Sequence, residues 1–145
     1  METILKTDCK FLENELMDVV RLFEARPGNV AHSFVYRDGV FYNRFSVDGK
    51  EYSFEDEGQV SGEIEYKRME RRFGKLGLYA ILSDLYQEKM PWGALTGIRP
   101  TKLAYMEKES GRDFRALFEK MRVSEENISL VEEVLKAQEG IYEKK

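Results

Sequence analysis

The sequence predicts an α+β fold: a β-α-β-β first half closed by an antiparallel meander, then a helical half of about four helices. Three observations carry this. Aromatic and β-branched residues alternate with polar ones between residues 31 and 54, the period of a strand. Asp38-Gly39 and Asp48-Gly49 interrupt that stretch, and Asp-Gly pairs favour tight hairpin turns. From residue 62 onward the apolar spacing changes to that of helices. The chain has 145 residues, the size of one ordinary domain or two small ones packed together. We read a single unit, 1–145, with an α/β half at 1–60 and a helical half at 61–145.

Residues 2–7 form the first short strand. Asp8 is placed to cap a helix whose face is Leu12, Leu16, Val19, Val20 and Phe23. Pro27-Gly28-Asn29 ends it. The meander then runs over about 31–37, 40–47 and 51–55, with Phe34, Tyr36, Val40, Tyr42, Phe45, Val47, Tyr52 and Phe54 as its strand formers. Residues 62–89 fit one long helix. Met69, Phe73, Leu76 and Ala80 share one face and Leu78, Leu82 and Leu85 a neighbouring one. An apolar arc that wide implies burial on two sides. Pro91 ends this helix, and a shorter one starts near Pro100 or Thr101, where proline suits the first turn, and stops before Gly111. Phe114, Leu117, Phe118 and Met121 mark a helix at 112–121. Ser124, followed by Glu125 and Glu126, begins the last one, with Ile128, Val131 and Leu135 on its apolar face.

Composition narrows the function. The chain is 42% hydrophobic and 34% charged, has three prolines, and contains no apolar run near the ~20 residues that span a bilayer. Its N-terminus lacks the basic-then-apolar pattern of a signal peptide, so a cytoplasmic protein without membrane contact is expected. The net charge of −4 and a pI of about 5.2 argue against general nucleic-acid binding. One cysteine, Cys9, and one histidine, His32, exclude an internal disulfide, a zinc site or an iron–sulfur cluster held by this chain. Cys9 reads as a packing residue near a helix start, His32 as a residue beside a strand with no triad partner in its own segment. No catalytic set is visible, so neither a catalytic residue nor a metal ligand is expected in this chain.

Two features stand out as anion-binding or docking candidates. Arg68, Arg71, Arg72 and Lys75 recur at i, i+3, i+4 and i+7, which puts four cations on one helical stripe. Either nearby acids such as Glu65 and Glu70 and solvent compensate them, or an anionic ligand or acidic partner surface does. The second feature is the loop from Pro91 to Lys102. Its Gly93 and Gly97 allow unusual backbone conformations, and Thr96 and Thr101 add hydroxyls. Arg99 precedes Pro100 and is pushed into extended geometry. The amides of Thr101 and Lys102 then lie at a helix start, a natural anion site. In the alternative reading Trp92, Leu95 and Ile98 plug the core and the loop is purely structural. The segment is not a P-loop, since Ile98 follows Gly97 where lysine is required.

The run Pro91-Trp92-Gly93-Ala94-Leu95-Thr96-Gly97-Ile98-Arg99-Pro100-Thr101-Lys102-Leu103 resembles the signature preceding the catalytic domain of the HemZ-type coproporphyrinogen dehydrogenases. These are bacterial radical-SAM proteins related to oxygen-independent coproporphyrinogen III oxidase. The resemblance implies an N-terminal accessory domain of a heme-biosynthesis oxidoreductase. The resemblance implies two partners: the radical-SAM catalytic domain of the same polypeptide, and coproporphyrinogen III as a candidate ligand whose carboxylates arginine suits. The [4Fe–4S] cluster and S-adenosylmethionine of that family would belong to the catalytic domain, whose CxxxCxxC motif this chain lacks. The expectation is therefore a non-catalytic module that docks on a barrel and binds substrate carboxylates. A purely structural cap, or an RNA-binding α/β module, are the alternatives.

Overall fold

The computed structural model describes residues 2–96 and 99–143. The chain divides into two compact units, Met1–Lys89 and Met90–Lys145. The long helix thus belongs with the sheet, and the division falls at Lys89 rather than near residue 60.

The first unit is a four-stranded sheet with helices against one face. Strand β1 (Ile4–Thr7) lies parallel to β2 (Asn29–Arg37), and β2, β3 (Val40–Val47) and β4 (Lys50–Glu57) form the antiparallel meander in the order β1-β2-β3-β4. Asp38-Gly39 and Asp48-Gly49 are the two hairpin turns, all four residues at positive φ, as their sequence requires. The register pairs His32 with Phe45 and Phe34 with Asn43, so these residues face inward with Phe41 and Phe54. Helix α1 (Glu13–Arg21) follows a 3-10 turn at Lys10–Leu12. It buries Leu16, Val19 and Val20, and Phe23 just beyond its end is also buried.

Asp8 does not cap that helix. Its carboxylate instead accepts from the Phe34 amide at 3.2 Å, and the Thr7 hydroxyl takes the Cys9 amide at 3.0 Å. The residue before Asp8 thus satisfies the turn, and the Asp8 carboxylate ties the end of β1 to β2. Helix α2 (Glu63–Tyr86) is buried along Phe73–Lys75 and Gly77–Ser83, the two-sided burial that its apolar arc implies. It stops at Gln87, whose left-handed backbone (φ 53°) closes the helix well before Pro91. A left-handed residue satisfies the terminal carbonyls without a proline.

The second unit holds α3 (Pro100–Glu109), α4 (Phe114–Lys120) and α5 (Glu125–Glu143). Pro100 is the first residue of α3. The Asp113 carboxylate caps α4 through the Arg115 amide at 3.0 Å, and the Ser124 hydroxyl accepts the Asn127 amide at 3.3 Å. Ala104, Phe118, Met121, Ile128, Val131 and Leu135 are buried within it.

Candidate functional site

The Pro91–Lys102 segment resolves into two parts with different surroundings. Its first part is clasped. The Ala94 amide donates to the Met121 carbonyl at 2.8 Å, and the Pro91 carbonyl accepts from the Ser124 amide at 2.9 Å and from Asn127 Nδ2 at 3.1 Å. Gly93 sits at φ 54°, and a Cβ there would collide with the carbonyl oxygens of Met121 and Arg122. Ala94, Leu95 and Thr96 are buried and Trp92 is half-buried. This stretch is held against the α4–α5 connection by backbone bonds that only a glycine-containing turn can make so closely.

The second part faces outward. Arg99 is extended (φ −85°, ψ 109°), as a residue before proline should be, and it is exposed. Lys102 is exposed one turn into α3, while Thr101 is half-buried. Tyr105 and Met106, three and four residues beyond Lys102, are exposed large side chains on the same helix, 38% and 48% accessible. Lys102, Tyr105 and Met106 therefore make a mixed basic and apolar face. Gly97 and Ile98 lie outside the described residues.

The basic stripe lies in the first unit and is not an open cationic face. The Arg71 Nε lies 3.1 Å from Glu15 Oε2 of α1 in an ion pair, and its guanidinium lies 5.3 Å from the centre of the Phe11 ring. Lys75 is only 3% exposed. Burial pulls its amine below the usual lysine range, while Glu15 and Asp18 pull it back up. Arg68 and Arg72 are half-buried. Acids facing the stripe include Glu15 and Asp18 of α1, and Glu70 of α2 itself acts on Arg71. Of the two acids the sequence pointed to, Glu65 accepts from the Ser61 hydroxyl and Glu70 from the Cys9 thiol.

A polar chain inside the first unit links residues that the sequence reading treats singly. Asn43 Oδ1 lies 2.7 Å from His32 Nε2, and His32 Nδ1 lies 2.8 Å from the Thr7 hydroxyl. Asn43 Oδ1 can only accept, so the assigned geometry makes Nε2 the protonated nitrogen and lets Thr7 donate to Nδ1. The Thr7 oxygen in turn takes the Cys9 amide, and the Cys9 thiol donates to Glu70 Oε1 at 2.7 Å. Burial holds the His32 imidazole below its ordinary range, against a smaller opposing effect of the Asn43 bond. The Cys9 thiol is pushed up to about 12 by burial first and then by Glu70. A thiol so protonated is no nucleophile at neutral pH. Glu70 is itself raised by burial, with the Cys9 bond opposing. Strand alternation and register bring His32 and Asn43 to the same inward face, and that signal was legible in the period-two pattern. The reach from Cys9 to Glu70 across 61 positions had no local signature.

Among the described residues no group of three or more His, Cys, Asp or Glu side chains is arranged to hold a metal ion, and no helix is long and apolar enough to cross a membrane. The donor set does not fit an iron–sulfur cluster, since the one thiol of the chain is committed to Glu70. Comparison with known protein families, with curated proteins and with solved structures finds no match for this chain.

Proposed function

We propose that this chain is a cytoplasmic, non-catalytic accessory domain of a radical-SAM coproporphyrinogen III oxidase or dehydrogenase in heme biosynthesis. It docks on the catalytic domain through the face begun by Arg99 and Lys102, and these two cations meet substrate carboxylates there. One observation carries the reading. The signature segment divides into an apolar part spent on internal packing and a basic part left exposed beside Tyr105 and Met106. A loop needed only for packing has no use for two exposed cations next to exposed apolar side chains. The half-buried stripe on α2 supports the same choice, because Arg71 and Lys75 already face the acids of α1.

A purely structural cap is the second reading, and the clasp at Gly93 favours it. The test is a fluorescence titration of the chain with coproporphyrin III at two salt concentrations, with calorimetric titration of a coproporphyrinogen dehydrogenase catalytic barrel alongside. Saturable, salt-sensitive binding of either, lost in a folded Arg99→Ala/Lys102→Ala variant, supports the accessory role. A folded chain that binds neither leaves the cap.

A further inference from the structure

The second unit contains a cleft of about 350 Å³ between the end of α3, the start of α4 and the middle of α5. This is at the small end of the range for ligand pockets. Phe114 and Leu135 supply apolar surface to it, and Phe114 is fixed edge-on against Phe118, with ring centres 5.6 Å apart. Lys108 from α3, Arg112 from the α3–α4 connection and Lys136 from α5 also line it.

The acids of the wall are already engaged. The Asp113 carboxylate caps the Arg115 amide, and Glu132 is paired with the Arg115 guanidinium. Arg115 also draws in Glu125 at 2.8 Å and Glu119 at 3.4 Å, so one side chain gathers three carboxylates and pins α4 to α5. Arg112 donates to Glu107 Oε2 at 2.6 Å, and Glu107 is only 3% exposed, which fixes the guanidinium at the cleft. The walls are therefore set by ion pairs before any ligand arrives, which reduces the ordering cost of binding.

We infer that this cleft is a binding site for a small organic anion, a carboxylate or phosphate ester carried on a compact apolar body. The apolar body lies on Phe114 and Leu135, and the anionic group meets Lys108, Lys136 and Arg112. A guanidinium and two ammonium groups suit either oxyanion, through fork geometry and point charge respectively. The site does not rest on the docking face, since none of these residues belongs to it.

The test is amide NMR of the full chain titrated with 3-phenylpropionate, with phenyl phosphate, and with the neutral 3-phenylpropan-1-ol. Saturable shifts confined to residues around 108–115 and 132–136, about tenfold weaker for the alcohol and for Lys108→Gln/Lys136→Gln, are the expected result. The relative affinity of the two anions distinguishes the carboxylate from the phosphate form. Arg99→Ala/Lys102→Ala should leave these shifts unchanged. Equal affinity of the alcohol and the acids, or binding indifferent to the Lys108/Lys136 change, overturns the inference. Binding lost only on changing Arg99 and Lys102 also overturns it and leaves the docking face standing.

Discussion

His32 shows how one buried side chain makes stability depend on pH. Its ordinary value is 6.5, and burial lowers it in the folded chain. As pH falls, the unfolded chain therefore takes up this proton before the folded one does. Stability from this group is full above about pH 6.5 and declines below it, because the unfolded state then binds more protons. Glu70 works in the opposite sense. Burial raises its carboxyl, so the folded state protonates first and the cost of holding that charge is relieved as pH falls. Comparing wild type with His32→Gln separates the two, since Glu70 is common to both. Urea midpoints should drop between about pH 7.5 and 5.5 by more in the wild type than in the variant. Parallel pH profiles would contradict a depressed imidazole. Gly93 gives a second residue-scale prediction. Its backbone is left-handed and its missing Cβ makes room for the carbonyls of Met121 and Arg122. Gly93→Ala should cost about 3 kcal/mol or more, combining a strained backbone with a steric collision, and calorimetric melting will read it. A melt unchanged from wild type would mean that the clasp has slack.

At the scale of elements, legibility followed how local each signal is. Both hairpin turns were readable because two adjacent residues specify them, and the strands of the meander needed only small adjustment at their ends. Pro100 is comparably local, and α3 begins there; α4, read as 112–121 from its apolar residues, runs Phe114–Lys120 behind an Asp113 cap that the apolar spacing does not show. Helix ends set by tertiary structure were not readable. Gln87 has no side-chain reason to turn left-handed, and α2 ends there, short of Pro91. Asp8 has the chemistry of a cap, but the neighbouring Thr7 hydroxyl takes that bond. The basic stripe was legible as a spacing, but its environment was not. What decides whether Lys75 meets solvent or Glu15 is the packing of α1 on α2, a contact between helices that the 2–60 pattern does not encode. Gly77 illustrates the same limit. It reads as a flaw in a helix, yet a Cβ there would lie 2.9 Å from the Phe45 ring and 3.1 Å from that of Phe54. Its absence is what lets α2 approach the sheet.

At the scale of the whole molecule, the important boundary is the one after Lys89. A division near residue 60 follows the change from strand to helix periodicity, but periodicity reports local conformation and not which elements share a core. The inward face of the sheet is completed by α2: Phe73 lies 5.1 Å from Phe41 and Tyr66 lies 5.3 Å from Tyr36, and beside them Tyr79 lies 5.7 Å from Phe23 at the end of α1, measured between ring centres. Deleting α2 would return those faces to water, and aromatic side chains of this kind bury roughly 150–250 Å² each. At about 25 cal/mol per Å² the loss of several such contacts exceeds the ~5–15 kcal/mol by which a domain is stable. A chain ending at Lys89 should therefore fold alone, with a cooperative thermal transition and a structured near-ultraviolet dichroism spectrum from its packed tyrosines. A chain ending at residue 60 should show neither. Cooperative folding of the shorter chain would show that the sheet closes its core without α2. Failure of the longer one would show that the first unit depends on residues after Lys89.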